Sequence, residues 1–254
     1  MTFRRLPLRL PAAPAPVLAA LALVAALAGC ASPGSRFYTL SPTDATSDGA
    51  RASVASTSGN QALLVALAPV DVPPQVAKLQ FVVQNDANQV KVLEQERWAS
   101  LPGDEIRRAL SGDLTQQLGA IDVYGSPHPE GVPVYRVSVN VQRFESWPGS
   151  HALIDAVWSV RALDSQTVMT CRSVLNEPVG DGYDALVVGH RRAVAALSQA
   201  IASGVRTLAA MPQASATAST KSAAKNGAKA SSVHTSPMTS IACPQAVSTA
   251  ATAG

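Results

Sequence analysis

Aromatic residues are scarce: Phe, Trp and Tyr make up 4% of this 254-residue chain. Leu, Val, Ile and Ala must therefore fill any core. Histidine is equally rare, with four residues, His128, His151, His190 and His234. They form no His-x-x-x-His pair, and no Cys-x-x-Cys occurs, so neither common metal-ligand spacing is present. There is no Gly-x-Ser-x-Gly elbow and no Gly-rich phosphate loop ahead of a helix. Ser150 and His151 are sequence neighbours, which is not a triad. His190 follows Val187 by three residues and precedes Val194 by four, the position of a partly buried helix histidine. Asp104 and Glu105 fall in a first helical turn, where negative charge complements the helix N-terminus. Nothing in this inventory points to an enzyme, a metal or a cofactor.

Basic charge is also missing where a nucleic-acid binder needs it. The formal net charge is +3, from 20 Lys and Arg against 17 Asp and Glu. Arg4, Arg5 and Arg9 lie at the extreme N-terminus, and removing them leaves 17 basic against 17 acidic residues. Lys221, Lys225 and Lys229 lie in the last 42 residues, which hold no acid. The body between is therefore 14 against 17, mildly acidic.

What is present begins with a leader. The three arginines come first, and no acidic residue precedes Cys30. An apolar stretch, Val17 to Ala28, follows; a membrane-spanning helix needs about 20 such residues, so this one is too short. Its length and flanks fit a cleaved export signal. It closes on Leu27-Ala28-Gly29-Cys30, which resembles the bacterial lipobox. Small residues let the chain lie extended in a peptidase cleft, and the thiol after the cut takes the lipid. The expectation is a signal peptide over 1–29 and a lipid anchor on Cys30. Several acyl chains on one residue hold far better than a single chain. Ala31 and Ser32 follow, with no Asp to retain the protein at the inner membrane, so the outer membrane is the expected address.

Of three cysteines, Cys30 is assigned to lipid. Cys171 and Cys243 remain, in an exported chain where disulfides persist. Two readings stand: a bridge that pins the tail to the domain, or a buried Cys171 and an unrelated tail thiol.

Residues 41–60 are rich in Ser, Thr, Ala, Asp and Gly and read as a flexible linker, so that 30–60 comprises anchor, a short strand and linker. Residues 213–254 show no hydrophobic period and read as disordered. The domain proper spans 61–212. In it, Leu63 to Val70 is a buried strand ended by Pro73-Pro74. Leu79 to Gln84 and Gln89 to Glu94 flank Asn85-Asp86-Ala87-Asn88 as a hairpin. Pro102 suits a helix's first turn, and Ile106, Leu110, Leu114 and Leu118 recur every four residues up to a stop at Gly119. Ile121 to Tyr124 is a short strand. Val137, Val139 and Val141 alternate with polar residues, while Phe144 breaks phase, predicting a bulge near Arg143. Strands follow around 154–161 and over Thr167 to Asn176, then a helix over Tyr183 to Ala210. This order predicts an α/β fold: a single-domain sandwich of a mainly antiparallel or mixed sheet with two long helices.

Four aromatics near element ends are candidate contacts for a partner or a membrane: Phe37, Tyr38, Trp98 and Phe144. For Trp98, core packing is the competing reading. Phe37 and Tyr38 could instead add a first strand to the sheet.

The order of features carries a family resemblance. Cys30 is followed by Phe37-Tyr38-Thr39-Leu40, then Val70-Asp71-Val72-Pro73 and the hairpin. Arg97-Trp98-Ala99-Ser100-Leu101-Pro102 opens a helix; Val139-Asn140-Val141-Gln142-Arg143-Phe144-Glu145 ends a strand, and Ala156-Val157-Trp158 lies in the next. Over roughly residues 30 to 210 the chain resembles the PqiC/YmbA family of ABC-type transport auxiliary lipoproteins. It departs from that pattern after Pro73, where Pro74-Gln75-Val76-Ala77-Lys78 replaces the usual Leu and Arg, and in its tail. The resemblance implies a non-enzymatic docking or receiving component of an MCE-type lipid transport system, supporting envelope integrity. Its implied partners are a periplasm-spanning MCE-domain protein with its ABC permease and ATPase, the membrane through the lipid anchor, and other copies of itself in a homo-oligomer. Alternatives with the same anchor are an activator of a peptidoglycan synthase and a lipid-anchored periplasmic hydrolase. A linker of about 20 residues reaches about 25 Å as a coil, which favours work close to the membrane over a long crossing to the wall.

Overall fold

The computed structural model describes residues 34–41, 63–165, 167–211 and 239–244. The leader with Cys30, nearly all of the 41–60 linker and most of the tail lie outside them. The strands are β1 (Arg36–Tyr38), β2 (Leu64–Leu67), β3 (Gln80–Gln84), β4 (Val90–Trp98), β5 (Ile121–Asp122), β6 (Val134–Trp147), β7 (His151–Ala162), β8 (Thr167–Pro178) and β9 (Thr239–Ile241); the helices are α1 (Pro102–Leu118) and α2 (Tyr183–Ala209). The described residues form the expected α/β sandwich with mixed sheets and two helices.

The larger sheet runs β5-β2-β6-β7-β8-β9. Its centre, β6-β7-β8, is an antiparallel meander of long strands, with β2 added parallel to β6 and β5 parallel to β2. Period-two patterning explains the faces. Val137, Val139, Val141, Ile154, Ala156, Trp158, Met169 and Cys171 point inward to one core with the buried sides of both helices. The register of β6 on β7 slips between Val141 and Arg143. That slip at the predicted position lets Val141 and Phe144, three apart, both face the core. On the other face, Leu64, Ala66, Val123 and Val134 form a small separate cluster.

The smaller sheet runs β1-β4-β3 and contributes to the same core. The β3–β4 hairpin turns where Asn85 N donates to Gln89 O at 2.9 Å. Helix α1 has Pro in its first turn and ends at Gly119, whose φ of 60° is left-handed and whose N–H donates to Thr115 O. It lies against α2, where Gln117 Nε2 donates to Ser198 Oγ at 3.1 Å and Arg206 Nη2 to Gln117 O at 2.7 Å.

Two expectations change. Thr239–Ile241, inside the stretch read as disordered, pairs in parallel with Thr167–Met169. The disulfide between Cys171 and Cys243 holds the segment there. A short polar strand has no hydrophobic period, so its sequence alone did not announce it. Second, the linker is not a tether between anchor and domain. Chain upstream of it, Arg36–Tyr38, pairs with β4 and is already part of the fold. The segment from 42 to 62 therefore leaves and re-enters one domain, and the reach argued from its length does not apply.

Candidate functional site

The first strand is held by two buried carboxylates. β1 runs parallel to β4 with Arg36 opposite Glu96, Phe37 opposite Arg97 and Tyr38 opposite Trp98. Alternation turns Arg36, Tyr38, Glu96 and Trp98 to one face and Phe37 and Arg97 to the other. Glu96 accepts from Arg36 Nε at 3.0 Å and from the Tyr38 hydroxyl at 2.6 Å. Burial alone would raise the Glu96 carboxyl, but the hydrogen bonds from Arg36 and Tyr38 outweigh it and hold it below the usual range. Burial, then the bond to Glu96, pushes the Tyr38 phenol well above its ordinary value.

Glu105 is the second clamp. Its carboxylate is fully buried and accepts from Leu40 N at 2.8 Å, Thr39 Oγ1 at 2.7 Å and the Ser100 hydroxyl, with Arg108 Nη1 at 3.1 Å. Burial again pushes the carboxyl up, and the bonds from Ser100, Thr39 and Leu40 with the charge of Arg108 bring it below the usual range. Thr39 is also gripped from α2: its carbonyl accepts from Arg191 Nη2 at 2.7 Å and Nε at 3.1 Å. From sequence, Glu105 reads as a helix-terminal charge. Its burial and its partners 65 and 66 residues away depend on where β1 docks.

The four candidate contact aromatics separate. Tyr38, Trp98 and Phe144 are buried, so they are core residues and not contacts. Phe81 stacks on Trp98 with centroids 4.6 Å apart, Tyr38 meets Phe81 edge-on at 5.8 Å, and Trp98 meets Phe144 at 5.9 Å. With so few aromatics, these rings are needed to fill the junction between the two sheets. Phe37 is the exception, at 65% exposed.

His190 joins this cluster, stacked on Phe144 at 4.1 Å. It is wholly buried, more than the expected partly buried position. Its Nε2 lies 2.8 Å from Ser146 Oγ, and its Nδ1 has no partner. Burial drops its pKa to about 3, so the ring is neutral. A Ser–His pair sealed from solvent meets no substrate and is structural.

The open face of the larger sheet carries ion pairs in place of apolar cover. Arg172 grips Asp155 with two bonds of 2.9 and 2.6 Å, which hold that carboxyl below its usual range. Glu145 accepts from Arg143 Nε at 2.7 Å and Trp147 Nε1 at 3.0 Å. A cleft of about 310 Å³ is lined by Pro69, Asp71, Ser138, Asn140, Val157 and Thr170 among others. Among the described residues no group of three or more His, Cys, Asp or Glu could hold a metal, and no helix is long and apolar enough to cross a membrane. Cys30 lies outside the described residues.

The architecture is a mixed sheet under two helices, with its first strand bound in by buried carboxylates. The family model of the ABC-type transport auxiliary lipoprotein component matches residues 38–202, and the chain belongs to that family. The match runs from Tyr38 in β1 into α2, the body of the domain. Among solved structures, a crystal structure of an uncharacterized protein is similar at TM-score 0.52 and 20% identity, covering 68% of this chain and 99% of the other, which supports the fold. A Xanthomonas campestris protein of family DUF330 matches at TM-score 0.41 and 13% identity over 57% of this chain and 88% of its own. A Caulobacter crescentus protein matches at TM-score 0.30 and 19% identity over 42% and 85%. No curated protein matches.

Proposed function

We propose that this lipoprotein is the outer-membrane auxiliary subunit of an MCE-type intermembrane lipid transport system, in the PqiC/YmbA branch of its family. It is anchored through lipid on Cys30 at the periplasmic face. There it docks or receives the periplasm-spanning MCE-domain protein served by an ABC permease and ATPase, and it acts as a homo-oligomer. It performs no chemistry of its own. The observation that carries this reading is the family match over residues 38–202. The lipobox ending at Cys30 and the order of motifs from Phe37 to Trp158 add support.

The test is a mild-detergent pull-down of the tagged, full-length protein from cell envelopes, with partners identified by mass spectrometry. An MCE-domain protein recovered with its permease is the expected result. A peptidoglycan synthase in its place would overturn the transport role in favour of wall synthesis.

A further inference from the structure

We infer that the outer face of β1, centred on Phe37 with Arg97 beside it, lies on the surface of the bilayer that carries the anchor. This rests on lipidation of Cys30, proposed above.

The first observation is how firmly β1 is held. Arg36 and Tyr38 bind Glu96, Thr39 and Leu40 bind Glu105, and Arg191 binds the Thr39 carbonyl. The folded domain therefore starts at Arg36, six residues after Cys30. An extended chain gains at most about 3.3–3.6 Å per residue, so the span from lipid to fold is no more than about 20 Å. As a coil it averages roughly 12–15 Å. A domain of this size has a radius of gyration of about 15 Å, hence an outer radius near 20 Å. For β1 to face away from the bilayer, the tether would have to pass half way round the domain, about 60 Å on that radius. It is too short by a factor of about three. The domain cannot turn over, and β1 stays next to the lipid.

The second observation is the chemistry of that face. Phe37 is the most exposed of the large apolar side chains described, at 65%. An isolated exposed ring is unremarkable on a free surface, but this one sits where the tether enters the fold. Arg97 lies opposite it on β4 and on the same face, with its side chain 34% exposed. Glu94, 3.8 Å away, partly neutralises it and leaves a guanidinium edge to reach lipid phosphates. An exposed apolar ring beside a basic side chain suits the membrane–water interface, the ring entering the headgroup layer and the cation meeting lipid phosphates.

The experiment uses the full-length lipidated protein in vesicles of phosphatidylethanolamine and phosphatidylglycerol, with some lipids carrying a headgroup-depth quencher. Phe37→Cys and Val174→Cys variants are each labelled with an environment-sensitive fluorophore. Val174 is 56% exposed on the open face of β8, turned away from the layer holding β1. The label at 37 should lose more than about half its emission and the label at 174 less than about a tenth, as expected for one site at headgroup depth and one in water. Inserting about 20 Gly/Ser residues after Ser35 raises the fully extended reach of the tether roughly fourfold, past the path of about 60 Å for half a turn, and quenching at 37 should fall towards the value at 174. Equal, weak quenching at both sites in vesicles that carry the protein would overturn the orientation alone. Protein that does not co-float with vesicles would overturn the lipid anchor and this inference with it.

Discussion

Lowering the pH from 7 to 5 should weaken the fold through His190. The ring is sealed between Phe144 and Trp98 and titrates at about 3 instead of its ordinary 6.5, because burial disfavours its charged form. The unfolded chain takes up a proton here below pH 6.5 while the native protein does not until about pH 3. The unfolded state thus binds more protons across that window, and stability must fall as pH falls. Each unit is worth 1.36 kcal/mol once below the unfolded pKa, so the loss between pH 7 and pH 5 is about 2 kcal/mol. The buried carboxylates Glu96 and Glu105 are held below their ordinary range, so their contribution is lost only at lower pH. Urea unfolding at pH 7 and pH 5 reads the difference. In His190→Leu that increment should vanish, leaving a variant about 1–3 kcal/mol weaker at pH 7 because the Ser146 hydroxyl loses its partner. If His190→Leu loses as much between pH 7 and pH 5 as the native protein does, the reasoning is wrong.

Other consequences follow from single contacts. Glu105→Ala strands the Leu40 N–H, Thr39 and Ser100 around a buried hole and should cost about 3–5 kcal/mol, while Glu105→Gln, which keeps an acceptor, should cost less in the same urea titration. Reducing the Cys171–Cys243 bond releases a crosslink spanning 72 residues and should lower stability by about 2–4 kcal/mol, read as a thermal shift with and without reductant. In Gly189→Ala the new methyl would stand 2.4 Å from Val179 Cγ1 and 2.9 Å from Ala152 Cβ, so α2 must lift from β7; about 1–3 kcal/mol should be lost on chemical denaturation, and an unchanged midpoint would contradict the packing. Cys30→Ser should move the protein from the membrane fraction to the soluble periplasm; retention in membranes would refute the anchor.

Much of the fold was written locally. The four-residue stripe of Ile106, Leu110 and Leu114 made α1, the Val137–Val141 alternation made β6, and the phase break at Phe144 marked its bulge. These signals are legible because helix and strand periods decide which side chains share a face, whatever lies opposite. The hairpin before Trp98 and the glycine stop of α1 belong with them, since turn chemistry is also local. What the period cannot say is which distant segment covers a face. Whether Trp98 and Phe144 are core or contact rings stays open until β3 and α2 close over them. Glu105 looks like an ordinary helix-terminal charge until the strand after Cys30 brings it two donors. The tail strand has no pattern of its own and is placed by β8 and a disulfide. The length of chain between Cys30 and the fold is decided in the same way. Counted along the sequence it seemed to include the Ser- and Thr-rich linker. The docking of Arg36–Tyr38 ends it six residues after Cys30, because a strand paired in a sheet no longer contributes reach.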